Sequence, residues 1–338
     1  MNTERDSKHI DPDQISRINK LVTYCIILSL MVVILCGGIY WMYNTKQRIP
    51  VADTESPKID HFQAPPYDTT QEGRLASYGE QLVTNTYALI GPETEKKITG
   101  NKLACTNCHL QAGTKPFAAP YIGLTGKFPA YIGRENKIET LEERINGCLE
   151  RSMNGNAIDT NSREIRAIAT YIKHISRGTQ PGDTLTGRGF TRINTLHRAA
   201  SPQKGQTIYT AKCASCHGKD GQGLPGTPDN KPGGYLYPPL WGPDSYNDGA
   251  GMARLLTAAA FIKGNMPYGA TANNPQLSDE EALDVAAYIN SQPRPAKSNK
   301  EKDYPDLTKK PKDSPYPPYA DDISQEQHQF GPYNFSSK

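Results

Sequence analysis

Two pentapeptides of the same kind, CTNCH at 105–109 and CASCH at 213–217, constrain this chain more than any other feature of its sequence. Each places two thiols at positions i and i+3 and a histidine directly after the second thiol. This is the pattern in which the thiols attach a haem covalently and the adjacent imidazole binds its iron. A zinc ribbon would bring its two cysteine pairs within about 15–20 residues of each other, and neither zinc nor a redox dithiol requires the following histidine. The sequence therefore predicts two covalently attached c-type haems, held by Cys105, Cys108, His109, Cys213, Cys216 and His217.

The segments around the two motifs occur in the same order. A capping box of Thr140 and Glu143 begins a helix after the first motif, and Ser278 and Glu281 begin one after the second. Late in each copy, IATYI matches VAAYI. The repeat indicates two copies of one small all-α module, with helices predicted at 73–89, from Thr140 through Cys148, at 162–176, 203–212, 250–263 and 278–292.

The N-terminal segment 21–43 contains no Lys, Arg, Asp or Glu. Because about 20 helical residues span the hydrocarbon core of a bilayer, this segment is long enough to cross. It ends in IYWMY, which is typical of an interfacial aromatic belt rather than of a signal-peptide cleavage site. We expect an uncleaved transmembrane anchor, in which Cys25 and Cys36 are packing residues.

Composition adds two limits. The net charge is only +3, which gives no argument for nucleic-acid binding. The apolar fraction of 36% is low for two ordinary cores; it suits small domains that complete their cores with a large cofactor and equally a chain with much irregular loop. We expect a cytoplasmic N-terminus (1–20), the anchor (21–43) and a stalk (44–71). Domain 1 (72–178), which carries the active-site haem, is followed by a linker (179–202), domain 2 (203–292), which carries the electron-transfer haem, and a Pro-rich tail on the surface (293–338).

The second iron needs a further ligand, and Met266 is the favoured one. It follows His217 in the loop GNMPYG, where a small cytochrome c domain presents its thioether. Methionine–histidine ligation raises the haem potential, which suits electron transfer. Met252 falls in a predicted helix and is expected in the core, while Lys263 would compete only if deprotonated.

The first iron has two candidate ligands in RINGCLERSMNG, Cys148 and Met153, and position alone does not choose between them. Arg144, Cys148 and Arg151 are spaced i, i+4, i+7 and share one face of a helix. Two neighbouring cations would stabilise a thiolate, which favours Cys148 as a strongly donating, potential-lowering ligand. His174 is expected to lie on the outer face of its helix rather than on iron.

These elements together resemble the dihaem thiosulfate dehydrogenase family over roughly residues 72–335. The resemblance is carried by the paired motifs, by RINGCLERSMNG, by the GNMP loop and by the tail PYPPY…QEQHQFGP. It implies two tandem class I cytochrome c-like domains behind the anchor, with Cys148 on the active-site haem. It also implies that Arg144, Arg151 and Ser152 line the substrate pocket. Some members carry an exchangeable lysine ligand where this chain has Asn265.

The resemblance implies the conversion of two thiosulfates to tetrathionate with the release of two electrons. The membrane anchor implies that these electrons pass to a membrane or periplasmic partner, which is another cytochrome, a terminal oxidase or a quinol-linked complex. Because c-type haem is attached outside the cytoplasmic membrane of bacteria, we expect the catalytic part in the periplasm and the anchor in the inner membrane. The reverse reaction, tetrathionate reduction, stays open. The alternatives are a membrane-anchored dihaem carrier without a substrate and, less favoured, a dihaem peroxidase, for which no acid–base pair accompanies either motif.

Overall fold

A computed structural model describes residues 12–46, 64–226 and 233–335. The chain divides into two compact units, Met1–Glu55 and Ser56–Lys338. The first unit contains one long helix, α1 (Pro12–Lys46), in which Asn19–Trp41 is long and apolar enough to cross a membrane. The predicted span at 21–43 therefore lies in a helix of suitable length, whereas residues 1–11 of the predicted cytoplasmic segment and 47–63 of the predicted stalk lie outside the described residues.

In the second unit, the part around the first motif consists of short helices and one hairpin. The helices are α2 (Gln71–Thr84), α3 (Thr86–Ile90), α4 (Leu110–Gly113), α5 (Leu141–Arg151) and α6 (Arg163–Ile175). Strands β1 (Ala130–Ile132) and β2 (Lys137–Glu139) pair antiparallel directly before α5. The predicted capping box of α5 is present, since Thr140 and Glu143 bond each other's backbone N–H groups.

The part around the second motif repeats this order. Its elements are α7 (Pro202–Lys212), α8 (Ala214–His217), strands β3 (Leu224–Pro225) and β4 (Tyr235–Tyr237), α9 (Leu255–Asn265) and α10 (Asp279–Asn290). The second predicted capping box, at Ser278 and Glu281, is also present. The described part of the tail carries two 3-10 turns, Lys300–Lys302 and Leu307–Lys309, and the α-helix α11 (Gln325–Phe330).

The same helix crossing organises both modules. A Cβ on Gly79 of α2 would lie 2.0 Å from the carbonyl oxygen of Ala167 in α6, and one on Gly205 of α7 would lie 1.9 Å from that of Asp284 in α10. Glycine therefore lets the backbones meet where no side chain fits. Each module buries its own apolar cluster at this crossing. The prediction of two all-α cytochrome c-like modules in tandem is confirmed.

Three local predictions were incomplete or wrong. The helix predicted at 250–263 begins at Leu255, and Met252 lies in a preceding 3-10 turn against a small separate cluster. The two hairpins were not predicted from the sequence, because each of their strands is only two or three residues long. His174 is buried rather than on the outer face of α6, because the chain before α2 folds over it: its Nε2 lies 2.7 Å from the carbonyl oxygen of Pro65, and Tyr67 stacks on its ring.

Candidate functional site: two haem cradles and a third thiol

The first motif lies in a tightly bonded turn against α3. The Thr86 hydroxyl accepts the backbone N–H of Cys105 at 3.1 Å, and Asn107 accepts that of Ala104 at 2.7 Å. His109 donates from Nδ1 to the carbonyl oxygen of Ala119, 2.6 Å away, and Tyr121 stacks on its ring. This bond leaves Nε2 as the nitrogen with a lone pair for a metal. Burial lowers the pKa of His109 to about 4, so its imidazole is neutral, as an iron ligand must be.

The second motif is built in the same way. Cys213 ends α7, and α8 carries His217 into the interior. His217 donates from Nδ1 to the carbonyl oxygen of Pro238 at 2.9 Å, and burial lowers its pKa. The Tyr209 hydroxyl fixes the turn that follows by donating to the carbonyl oxygen of Gly218 at 2.7 Å. In both motifs a neutral, oriented imidazole lies next to two free thiols, and these residues fit a covalently attached haem. We call the two sets the first haem cradle (Cys105, Cys108 and His109) and the second haem cradle (Cys213, Cys216 and His217).

The candidate ligand Met266 directly follows α9 and packs against the apolar cluster of the second module. Its neighbour Asn265 is buried and donates to the carbonyl oxygens of Phe117 at 3.1 Å and Phe261 at 3.0 Å. Lys263 is paired with Asp279 at 2.5 Å. Of the side chains weighed for the second iron, Asn265 and Lys263 already have polar partners and Met252 packs against a separate cluster, which leaves Met266 as the candidate.

The third thiol, Cys148, lies beside the first motif. Burial raises the pKa of the Cys105 thiol to about 11 and that of Cys108 to about 12, and a charge on Cys148 adds to both increases. Met153 is 3% exposed, and its side chain belongs to the apolar cluster of the first module. The structure therefore places Cys148 near the motif thiols and Met153 in the buried apolar cluster against which Cys105 packs.

The two arginines on the Cys148 face have different surroundings. The side chain of Arg144 is exposed and makes no hydrogen bond or ion pair with any residue that the structure describes. Its charge contributes to lowering the pKa of His109 and partly offsets the rise in the pKa of Glu139 that burial causes. Arg151 is buried and donates two hydrogen bonds to Asp303, at 2.8 and 2.7 Å, with Glu135 at 3.7 Å. The same face thus carries one unpaired and one neutralised guanidinium.

Ser152 ends α5, and its hydroxyl makes no hydrogen bond within the described ranges. Its carbonyl oxygen accepts from Asn101 Nδ2 at 3.0 Å. Sequence reasoning missed Asn101, Asp303 and Asn247, all of which contact the end of α5. Their contacts with α5 are long-range, and the isolated sequence around each carries no motif that would have revealed them.

Two haem cradles in tandem modules, with a third cysteine beside the first, define a dihaem c-type cytochrome of the oxidoreductase class. The family model described as "SoxA/TsdA, cytochrome c domain" matches residues 94–180, and the cytochrome c model matches 202–293. The chain belongs to the thiosulfate dehydrogenase family, since it is 44% identical over 234 residues to the thiosulfate dehydrogenase of Psychrobacter arcticus, covering 69% of this chain and 67% of that protein.

Two other proteins extend the comparison. The thiosulfate dehydrogenase of Allochromatium vinosum is 40% identical over 250 residues, covering 72% of this chain and 88% of that protein. The solved structure of thiosulfate dehydrogenase TsdBA from Marichromatium purpuratum matches with a TM-score of 0.61 and 34% identity over 72% of this chain. The match spans 50% of that solved chain.

Proposed function

We propose that this protein oxidises two thiosulfate ions to one tetrathionate at Cys148 and passes the two electrons to a redox partner. The observation that carries the proposal is the position of Cys148 beside Cys105 and Cys108, with the unpaired cation of Arg144 near His109. The names of the relatives support the same reaction.

The chain would hold its two haems through the residues already described. His109 and Cys148 would bind the first iron, and His217 and Met266 the second. Each haem, when bound, supplies one-electron redox chemistry, so that a pair accepts the two electrons of the reaction.

The reaction brings two dianions together, and the protein must offset their repulsion. At about 4 Å in water this repulsion is about 4 kcal/mol, four times the value for unit charges. A planar guanidinium matches the oxygens of a sulfonate as it matches those of phosphate. Arg144, unpaired among the described residues and close to the first cradle, would bind the sulfonate, and the Ser152 hydroxyl would donate a further hydrogen bond.

Cys148 would act as a sulfur nucleophile while its thiolate is not bound to the first iron. In the first step a bond would form between its thiolate sulfur and the terminal sulfur of thiosulfate, and the two electrons released would be accepted by the two bound haems, one each. In the second step the terminal sulfur of another thiosulfate would attack the adduct sulfur that is bonded directly to the Cys148 sulfur. The bond to Cys148 breaks, the thiolate is regenerated and tetrathionate leaves with no net change in protons.

The location, partner and direction belong to the same proposal. The helix α1 would anchor the protein in the bacterial inner membrane, with the catalytic unit in the periplasm, which suits a periplasmic or membrane cytochrome or an oxidase as electron acceptor. The same sites would serve tetrathionate reduction if the partner delivered electrons instead of accepting them.

The test uses the haem-loaded protein with thiosulfate and an artificial electron acceptor, and it measures tetrathionate against electrons accepted. One tetrathionate per two electrons is expected. A protein with both haems that accepts and donates electrons but forms no tetrathionate would instead be a membrane-anchored dihaem carrier.

A further inference from the structure

The last turn of α5, which follows Cys148, is held by residues far away in the sequence. Helices leave their last carbonyl oxygens without partners in the helix. Here Asn247 Nδ2 donates to the carbonyl oxygen of Glu150 at 2.9 Å, and the Asn247 backbone N–H donates to that of Arg151 at 3.2 Å. Together with the bond from Asn101 to Ser152, three successive carbonyl oxygens are bound from outside the helix.

The side chain of Arg151 is fixed even more firmly. Arg151 and Asp303 are both buried, and the two parallel hydrogen bonds between them fix the orientation of the guanidinium as well as its distance. The Tyr316 hydroxyl donates to Oδ2 of Asp303 at 2.5 Å, which fixes the carboxylate in turn. Arg151 is one helical turn from Cys148 and on the same face, so its ion pair with Asp303 holds a side chain of the turn directly after the thiol.

The tail segment that supplies Asp303 has its own attachment. The ammonium of Lys310 lies 5.9, 4.6 and 5.2 Å from the ring centroids of Tyr304, Tyr316 and Tyr319, and it donates to the carbonyl oxygen of Pro318 at 2.8 Å. A cation among three aromatic rings is attracted to each of them. The tail segment that carries Asp303 is therefore held in place by its own contacts, independently of the ion pair with Arg151.

We propose that Asp303 is a positioning residue of the active site, which holds Arg151 and, through it, the turn of α5 that carries Cys148. The proposal rests on the function proposed above and refines it. Arg151, predicted to line the substrate pocket, is assigned to positioning because its charge is matched by Asp303. Anion binding then falls to Arg144.

The test compares Asp303→Asn with Asp313→Asn in the haem-loaded protein. Asp313 is a matched control from the same tail: it is buried and ion-paired with Arg254 at 2.5 Å, but it caps the start of α9 and not α5. For Asp303→Asn we expect kcat to fall at least tenfold with KM within threefold, and the paramagnetic resonance signal of the first haem to change in the absence of substrate. Asp313→Asn should lower the melting temperature while kcat, KM and that signal stay as in the wild type.

Two further variants keep the test decisive if Asp303→Asn folds poorly. Tyr316→Phe removes one hydrogen bond to Asp303 without stranding a charge, and it should shift kcat and the haem signal in the same direction, by two- to fivefold in kcat. The double variant Asp303→Asn with Arg151→Gln should lower kcat no further than Asp303→Asn alone, because both changes break the same interaction.

The proposal is overturned if Asp303→Asn behaves like Asp313→Asn, or if it changes KM tenfold in either direction at unchanged kcat, which would mean that Arg151 contacts the anion. Failure of the proposed function is separate, since it would show as a wild-type protein that forms no tetrathionate. The substrate-free haem signal would still report whether Asp303 positions Cys148.

Discussion

Replacing Arg144 by alanine should weaken thiosulfate binding more than it slows turnover. Arg144 is exposed and has no ion pair with any described residue, and the more distant Glu139 carboxylate interacts with its charge without pairing with it, so the guanidinium is available to an anion beside the first motif. A single cation about 4 Å from a dianion gains about 2 kcal/mol at the dielectric of water, and more in a less polar pocket. Since 1.4 kcal/mol is a factor of ten, we expect KM for thiosulfate to rise about 30-fold. Salt screens such a charge, so KM of the wild type should rise with ionic strength and that of Arg144→Ala should rise less.

The assay is the initial rate against thiosulfate concentration at low and high salt, with an artificial acceptor. Arg166→Ala is the matched control, because Arg166 is also exposed and helical, lies on α6, and should leave KM unchanged. If Arg144→Ala kept KM within threefold of the wild type at low salt, the assignment of Arg144 to anion binding would be refuted.

Two further predictions test the fold and the second haem. Gly79→Val should unfold or strongly destabilise the first module, because its Cβ alone would lie 2.0 Å from the Ala167 carbonyl oxygen; thermal melting measures this, and a melting temperature within a few degrees of the wild type would contradict the helix crossing. Met266→His should retain both haems but lower the potential of the second, because imidazole replaces a thioether that raises it; a redox titration with both potentials unchanged would exclude Met266 as a ligand.

Local sequence was sufficient for the parts of the site that depend on short spacing. The capping boxes at Thr140 and Ser278 predicted where α5 and α10 begin, and the structure has both. The repeat of IATYI and VAAYI predicted two equivalent helices, and Tyr171 and Tyr288 within them pack against Gly79 and Gly205. Such features are encoded within a turn or two of the chain.

Features that depend on distant partners could not be predicted in this way. Arg151 and Asp303 are 152 residues apart, and nothing near Arg151 in the sequence indicates that its charge is matched. His174 was expected on an outer face because its own helix allows it, but the chain at Pro65 covers that face. In both cases the local sequence predicts the helix on which the side chain lies. Its surroundings, however, are set by a segment outside the module, which the local sequence does not indicate.

The central claim is that Cys148 forms the bond to thiosulfate sulfur, and comparing wild type with Cys148→Ala tests it most directly. Both proteins would be checked for two attached haems. For intact mass, each would receive one equivalent of thiosulfate with an oxidised acceptor, so that no second thiosulfate removes the adduct; tetrathionate formation would be measured with thiosulfate in excess. We predict an added mass of one thiosulfate on the wild type alone, and no tetrathionate from Cys148→Ala. Wild-type turnover by a Cys148→Ala protein with both haems would contradict the claim.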